Sequence, residues 1–116
     1  MKTQARELEE HLSDEGWRIV ERESEPHWWA DELWTIESMW RPVGLKLWIT
    51  FLVDPQHDGV RKKGEHVWAV AVTPFLPVAR SNVDQTSVPI RQGWALHLQE
   101  LLGHIRELRD RDVSHD

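Results

Sequence analysis

Imidazoles and carboxylates are the groups in this chain that could do chemistry near neutral pH, and apart from the acidic first predicted helix and Asp31-Glu32, where solvation explains the carboxylates, three placements call for a reading. The first is Asp54-Pro55-Gln56-His57-Asp58-Gly59, with His66 close behind, which brings two carboxylates and an imidazole into one loop. Such a set suits a divalent cation or an acid–base pair. The same residues also have a conformational explanation, because Asp-Pro opens turns and Asp-Gly closes them. The loop is therefore read as a solvated turn with no metal and no cofactor. A small enzyme or metal- or ligand-binding protein with its site near Asp54–Gly64 is the alternative function.

The second place is a predicted helix carrying His97 and His104 on one side. Two helical turns separate these imidazoles by about 10 Å, too far for one ion without further ligands. They are read as rings covering the edge of a core. The third is Glu37, predicted mid-strand opposite Trp48, where a carboxylate beside an indole reads as the polar half of a cross-strand pair rather than as a catalytic acid. No catalytic residue is assigned.

Other chemistries lack their residues. The chain has no cysteine, which removes disulfides, thiolate catalysis and zinc-thiolate sites. Its glycines are scattered rather than grouped into a phosphate cradle, and no serine stands in a nucleophile elbow. A net charge of -6 repels a phosphate backbone, and the one basic cluster, Arg61-Lys62-Lys63, has no interleaved aromatics, so no nucleic-acid partner is expected. No stretch approaches the roughly 20 apolar residues that span a bilayer. The first residues show neither the apolar run nor the cleavage site of a secretion signal, so a cytoplasmic protein with no membrane partner is expected.

The elements that must position these groups follow from periodicity. At 116 residues, 40% of them hydrophobic, the chain is expected to form a single domain over 1–116 with one core. Ala5, Leu8 and Leu12 recur at helical spacing and Gly16 follows as a stop. Trp17 to Arg22 alternates as an edge strand, with Trp17, Ile19 and Glu21 on one face, and ends in Glu23-Ser24-Glu25-Pro26. Leu33–Trp40 and Leu45–Val53 are longer alternating runs around Arg41-Pro42-Val43-Gly44, which suits a type I turn. A tight turn there pairs Ser38 with Leu47, Ile36 with Ile49, Trp34 with Phe51 and Glu37 with Trp48.

A fourth strand is predicted from His66 to Thr73. Bulk assigns Trp68, Val70 and Val72 to the core, leaving Val67, Ala69 and Ala71 on the outer face. Pro74–Ser81, rich in proline and large apolar residues, is expected to shield that strand's edge. Thr86 or Ser87 then caps a last helix in which Ile90, Trp94, Leu98, Leu101, Leu102, Ile105 and Leu108 form one stripe. Gly93 falls inside it and is expected to permit close approach to the sheet. The resulting fold class is α+β, ordered α-β-β-β-β-α, an antiparallel four-stranded meander with N- and C-terminal helices packed on one face.

Eight tryptophans, two phenylalanines and no tyrosine are the compositional anomaly. Each indole can bury on the order of 150–250 Å², so a domain this small must leave some of them at its surface or in an interface. The predicted outer sheet face supplies such a place. Trp48, Met39, Leu33, Leu52, Val67, Ala69 and Ala71 would form an apolar area interrupted by Glu37, Lys46, Thr35 and Thr50, the composition of an interaction surface. Sequence alone therefore points to a non-enzymatic adaptor or chaperone-like domain that binds a protein partner, or self-associates as a homodimer, around Trp48.

Overall fold

The computed structural model describes residues 3–27, 29–39, 44–53, 67–83, 87–90 and 92–114, without the side chains of 25–26 and 111–114. Helix α1 (Gln4–Asp14) starts where the Thr3 hydroxyl accepts a hydrogen bond from the Arg6 amide at 3.1 Å. Five strands follow: β1 (Trp17–His27), β2 (Ala30–Ser38), β3 (Lys46–Val53), β4 (Val67–Thr73) and β5 (Ser87–Pro89). Helix α2 (Trp94–Ser114) is the last of the described elements. The strands pair in sequence order, all antiparallel.

The α+β meander with both helices on one face is therefore present, with one strand more than predicted. Leu8 and Leu12 of α1 and Leu98, Leu101, Leu102 and Ile105 of α2 meet Trp17, Trp34, Ile36, Leu47, Ile49, Phe51, Val70 and Val72 in one buried cluster. Helix α1 lies over β1, and α2 lies over β4 and β5. The two helices are tied across their ends by Arg106, whose Nε and Nη2 donate to the two Glu15 carboxylate oxygens at 2.9 and 3.0 Å. That hydrogen bond and the Glu15 charge raise the Arg106 pKa above its ordinary value.

The β2–β3 register differs from the predicted one by two residues. Ile36 faces Leu47, Trp34 faces Ile49 and Glu37 faces Lys46 instead of Trp48. A slip of two preserves which side chains share a face, so the core-facing set is unchanged. Opposite charges now stand across the strands, and Gly44 leaves room for them, since a Cβ there would collide with the Glu37 side chain. Trp40 and residues 41–43 of the predicted turn lie outside the described residues.

Ser87, one of the two residues expected to cap the last helix, instead extends the sheet, and Thr86, the other, lies outside the described residues. Val88 pairs with Val70 and Ser87 with Ala71, and the Ile90 amide donates to the Trp68 carbonyl at 3.0 Å. It is β5, not the proline segment, that covers the β4 edge. Helix α2 begins only after Gly93, whose φ of 67° is the reason for glycine there. A Cβ would meet nothing nearer than the His97 ring at 3.4 Å, so conformation rather than close approach sets the requirement. Gly93→Ala should cost roughly 1–2 kcal/mol. Gly103→Ala, inside α2 with no neighbour within 4 Å of the added methyl, should stabilise by up to about 1 kcal/mol. Urea unfolding of the two variants should thus show shifts of opposite sign.

Candidate functional site

Two of the register breaks in the sheet set which side chains of β1 and β4 face outward. In β1 the register breaks between Ile19 and Glu21, with Val20 as the extra residue. Trp17 and Ile19 face the helices before the break, and Arg22 joins them after it. Glu21, expected with Trp17 and Ile19, turns to the outer face together with Glu23. On the helix side Arg22 lies over the Trp34 ring, 4.8 Å from its centroid, and pairs with Glu9 of α1 at 2.7 Å. The second bulge sits at Trp68, between the pairs Leu52–Ala69 and Val53–Val67. It moves Val67 against the helix-side core and leaves Trp68 36% exposed, reversing the predicted placement of both.

The outer face divides into a covered half and an open half. After β4 the chain runs through Pro74–Val83, and Val83 packs with Trp29, Ala30, Leu52, Ala69 and Ala71 in a second buried cluster. Asn82 fixes this strap by accepting from the amides of Val78 and Ala79, both at 3.0 Å. Leu52, Ala69 and Ala71, predicted on an open surface, are buried beneath it, and Leu33 is buried as well. The broad exposed patch is therefore corrected to a narrower feature.

What stays open is a groove of about 320 Å³ over β1, β2 and β3. Leu33, Thr35 and Trp48 floor it, Leu76 of the strap forms one wall, and Glu21, Glu23 and Lys46 form the rest. The rows across the sheet explain the arrangement: Glu21, Thr35 and Trp48 are register partners in one row, and Glu23, Leu33 and Thr50 in the next. Trp48 is half-buried. Beyond it Glu37 pairs with Arg18 of β1 at 3.6 Å, Lys46 is exposed, and Met39 is 54% exposed just past β2. Of the predicted interaction residues, Trp48 and Lys46 thus line the groove and Glu37 and Met39 lie toward one end of the sheet. Leu52, Val67, Ala69 and Ala71 do not reach it.

Sequence reading misses Glu21 and Glu23, because nothing in the alternation of β1 marks Val20 as a bulge. It also misses Leu76, although the proline-flanked apolar stretch that carries it was the available signal.

A second concavity of about 480 Å³ opens between the N-terminal ends of α1 and α2, lined by Phe51, Val70, Ile90 and Trp94 with Asp31 and Glu32. Polar groups around it are already engaged: Trp94 Nε1 donates to Glu7, Trp34 Nε1 to Glu32 and Gln4 Nε2 to the Ile90 carbonyl, each at 2.6 Å. These bonds link the helices and sheet at that end. His97 and His104 are separate from both concavities, and His97 contacts Glu100 at 3.1 Å. Asp54–His66, including His57, Asp58 and His66, lies outside the described residues, and no group of three potential metal ligands occurs among the described ones. No helix among the described residues is long and apolar enough to cross a membrane.

Comparison with protein-family models, with curated proteins and with solved structures finds no match to this chain.

Proposed function

We propose that the chain is a non-enzymatic interaction domain that docks a segment of a protein partner on its outer sheet face, in the groove floored by Trp48. The observation that carries this reading is a half-buried indole at the bottom of an open groove whose walls combine apolar Leu76 with charged Glu21, Glu23 and Lys46. A partner side chain covering the indole would gain about 25 cal/mol for each Å² of apolar surface removed from water. Tryptophan surrounded by polar residues is the usual composition of a binding hot spot. A second copy of the chain is the less favoured occupant, because it would bring a net charge of -6 to a rim that already holds two carboxylates.

The test uses Trp48→Glu, which places a charge where docking must remove water. Displayed peptides selected on the wild-type protein, with counter-selection on the variant, should yield micromolar binders that lose at least tenfold in affinity for Trp48→Glu. The variant should remain folded with a lowered thermal midpoint, since Trp48 is only partly exposed, and its binding is compared with wild type well below that midpoint. Selected peptides that bind both proteins equally, or no enrichment at all, would remove the groove from consideration. Sedimentation at micromolar concentration should give a monomer for both proteins; a wild-type dimer broken by the substitution would make the second copy the occupant.

A further inference from the structure

The partner's chemistry can be narrowed from the strand that borders the groove, an inference that rests on the docking role proposed for this face. Strand β1 has 11 residues and forms one edge of the sheet, paired only with β2. Along the stretch Arg18–Ser24, among the described residues, no backbone hydrogen bond engages its outer side. Because of the bulge at Val20, consecutive residues of this edge alternate in charge between the two faces: Glu21 and Glu23 outward beside the groove, Arg22 inward between them. All three side chains are exposed, but Arg22 is partnered by Glu9 and by the Trp34 ring on the helix side, while Glu21 and Glu23 border the groove.

This pattern discriminates between possible added strands. Two copies of β1 paired antiparallel about a two-fold axis normal to the sheet must match residues that share a face. Centred on Arg22, such a pairing sets Glu21 against Glu23 of the second copy and Arg22 against Arg22. Centred on Glu21 or Glu23, it sets that glutamate against itself. Like charges directly opposite one another destabilise a strand pair, while opposite charges stabilise it. We infer that the partner's docking segment is extended and basic and adds to β1 as a further strand beside the groove, with Lys or Arg at two positions facing Glu21 and Glu23 and an uncharged residue between them facing Arg22. Main-chain hydrogen bonds to the edge would supply affinity and the alternate side chains specificity.

The probe is a synthetic peptide of alternating lysine and threonine, eight residues long, titrated into the protein at low salt and followed by amide chemical shifts. Shifts should concentrate on the amides of residues 20–24, and the dissociation constant should rise at least tenfold for the double variant Glu21→Lys/Glu23→Lys. A peptide with glutamate in place of lysine should bind that double variant and not the wild type. N-methylation of the peptide amides that would face β1, which keeps every charge, should also weaken binding at least tenfold. Equal binding of the methylated peptide would mean charge attraction without strand addition and would overturn the inference. No binding of the lysine peptide would likewise overturn it, leaving the edge charges as a guard against pairing. Binding lost in Trp48→Glu but indifferent to Glu21→Lys/Glu23→Lys and to methylation would overturn the strand inference while leaving the groove's docking role intact.

Discussion

Trp34→Ala should lower the unfolding free energy by about 3–5 kcal/mol, the range for truncating a buried aromatic residue. The side chain is 1% exposed at the centre of the sheet's helix-facing surface. Its ring meets Phe51 edge-on, with centroids 4.8 Å apart and planes at 60°, and carries the Arg22 guanidinium on its face. Its Nε1 donates to Glu32 at 2.6 Å. Truncation would therefore open a cavity and at the same time leave Arg22 without its aromatic platform. Trp34→Phe keeps much of the volume and the cation contact but drops the hydrogen bond, so it should cost less. Urea unfolding followed by far-UV circular dichroism measures both, and a loss below about 1 kcal/mol for the alanine variant would be incompatible with a ring at the core.

Leu52→Ala should be almost as damaging, at about 2–5 kcal/mol, although Leu52 faces away from both helices. Leu52 is fully buried with Trp29, Ala69, Ala71 and Val83, so the outer face has a small core of its own beneath the strap. Met39→Ala, on the exposed part of the chain, should stay within about 0.5 kcal/mol and serves as the control. A Leu52 effect as small as that of Met39 would mean that the strap does not hold to the sheet in solution.

The parts of this fold legible in the sequence are those in which period and burial agree over many residues. The Leu98–Ile105 stripe of α2 and the facing sets Trp34–Ile36 and Leu47–Ile49 are of this kind, and they recur in one cluster. Their relative register was not legible, because a slip of two leaves the apolar pattern unchanged and only cross-strand partners such as Glu37 and Lys46 register it. Bulges are harder still: one extra residue at Val20 or Trp68 reverses the facing of everything beyond it and has no compositional mark. Strand β5 is three residues long, too short for any alternation, and includes a proline. The first turn of the sheet falls after His27 rather than at Glu23–Pro26, so β1 runs through Pro26, a placement that an edge strand tolerates.

For the candidate site, the consequence was partial legibility. Trp48 could be placed on the outer face from alternation alone. The strap that narrows this face to a groove, and the bulge that lines it with Glu21 and Glu23, are products of tertiary packing.

The two ends of the sheet are unequal, and this sets a valency. At the far end, β5 offers only Ser87, Val88 and Pro89, and the proline has no amide hydrogen to donate. Open-ended growth by strand pairing requires each molecule to present two complementary edges, one to receive and one to offer. With Pro89 in its far edge strand, this sheet does not offer at β5 the long ladder that it offers at β1. If β1 takes up a partner strand as inferred above, assembly through the sheet edge would close at one-to-one complexes instead of continuing into head-to-tail fibres.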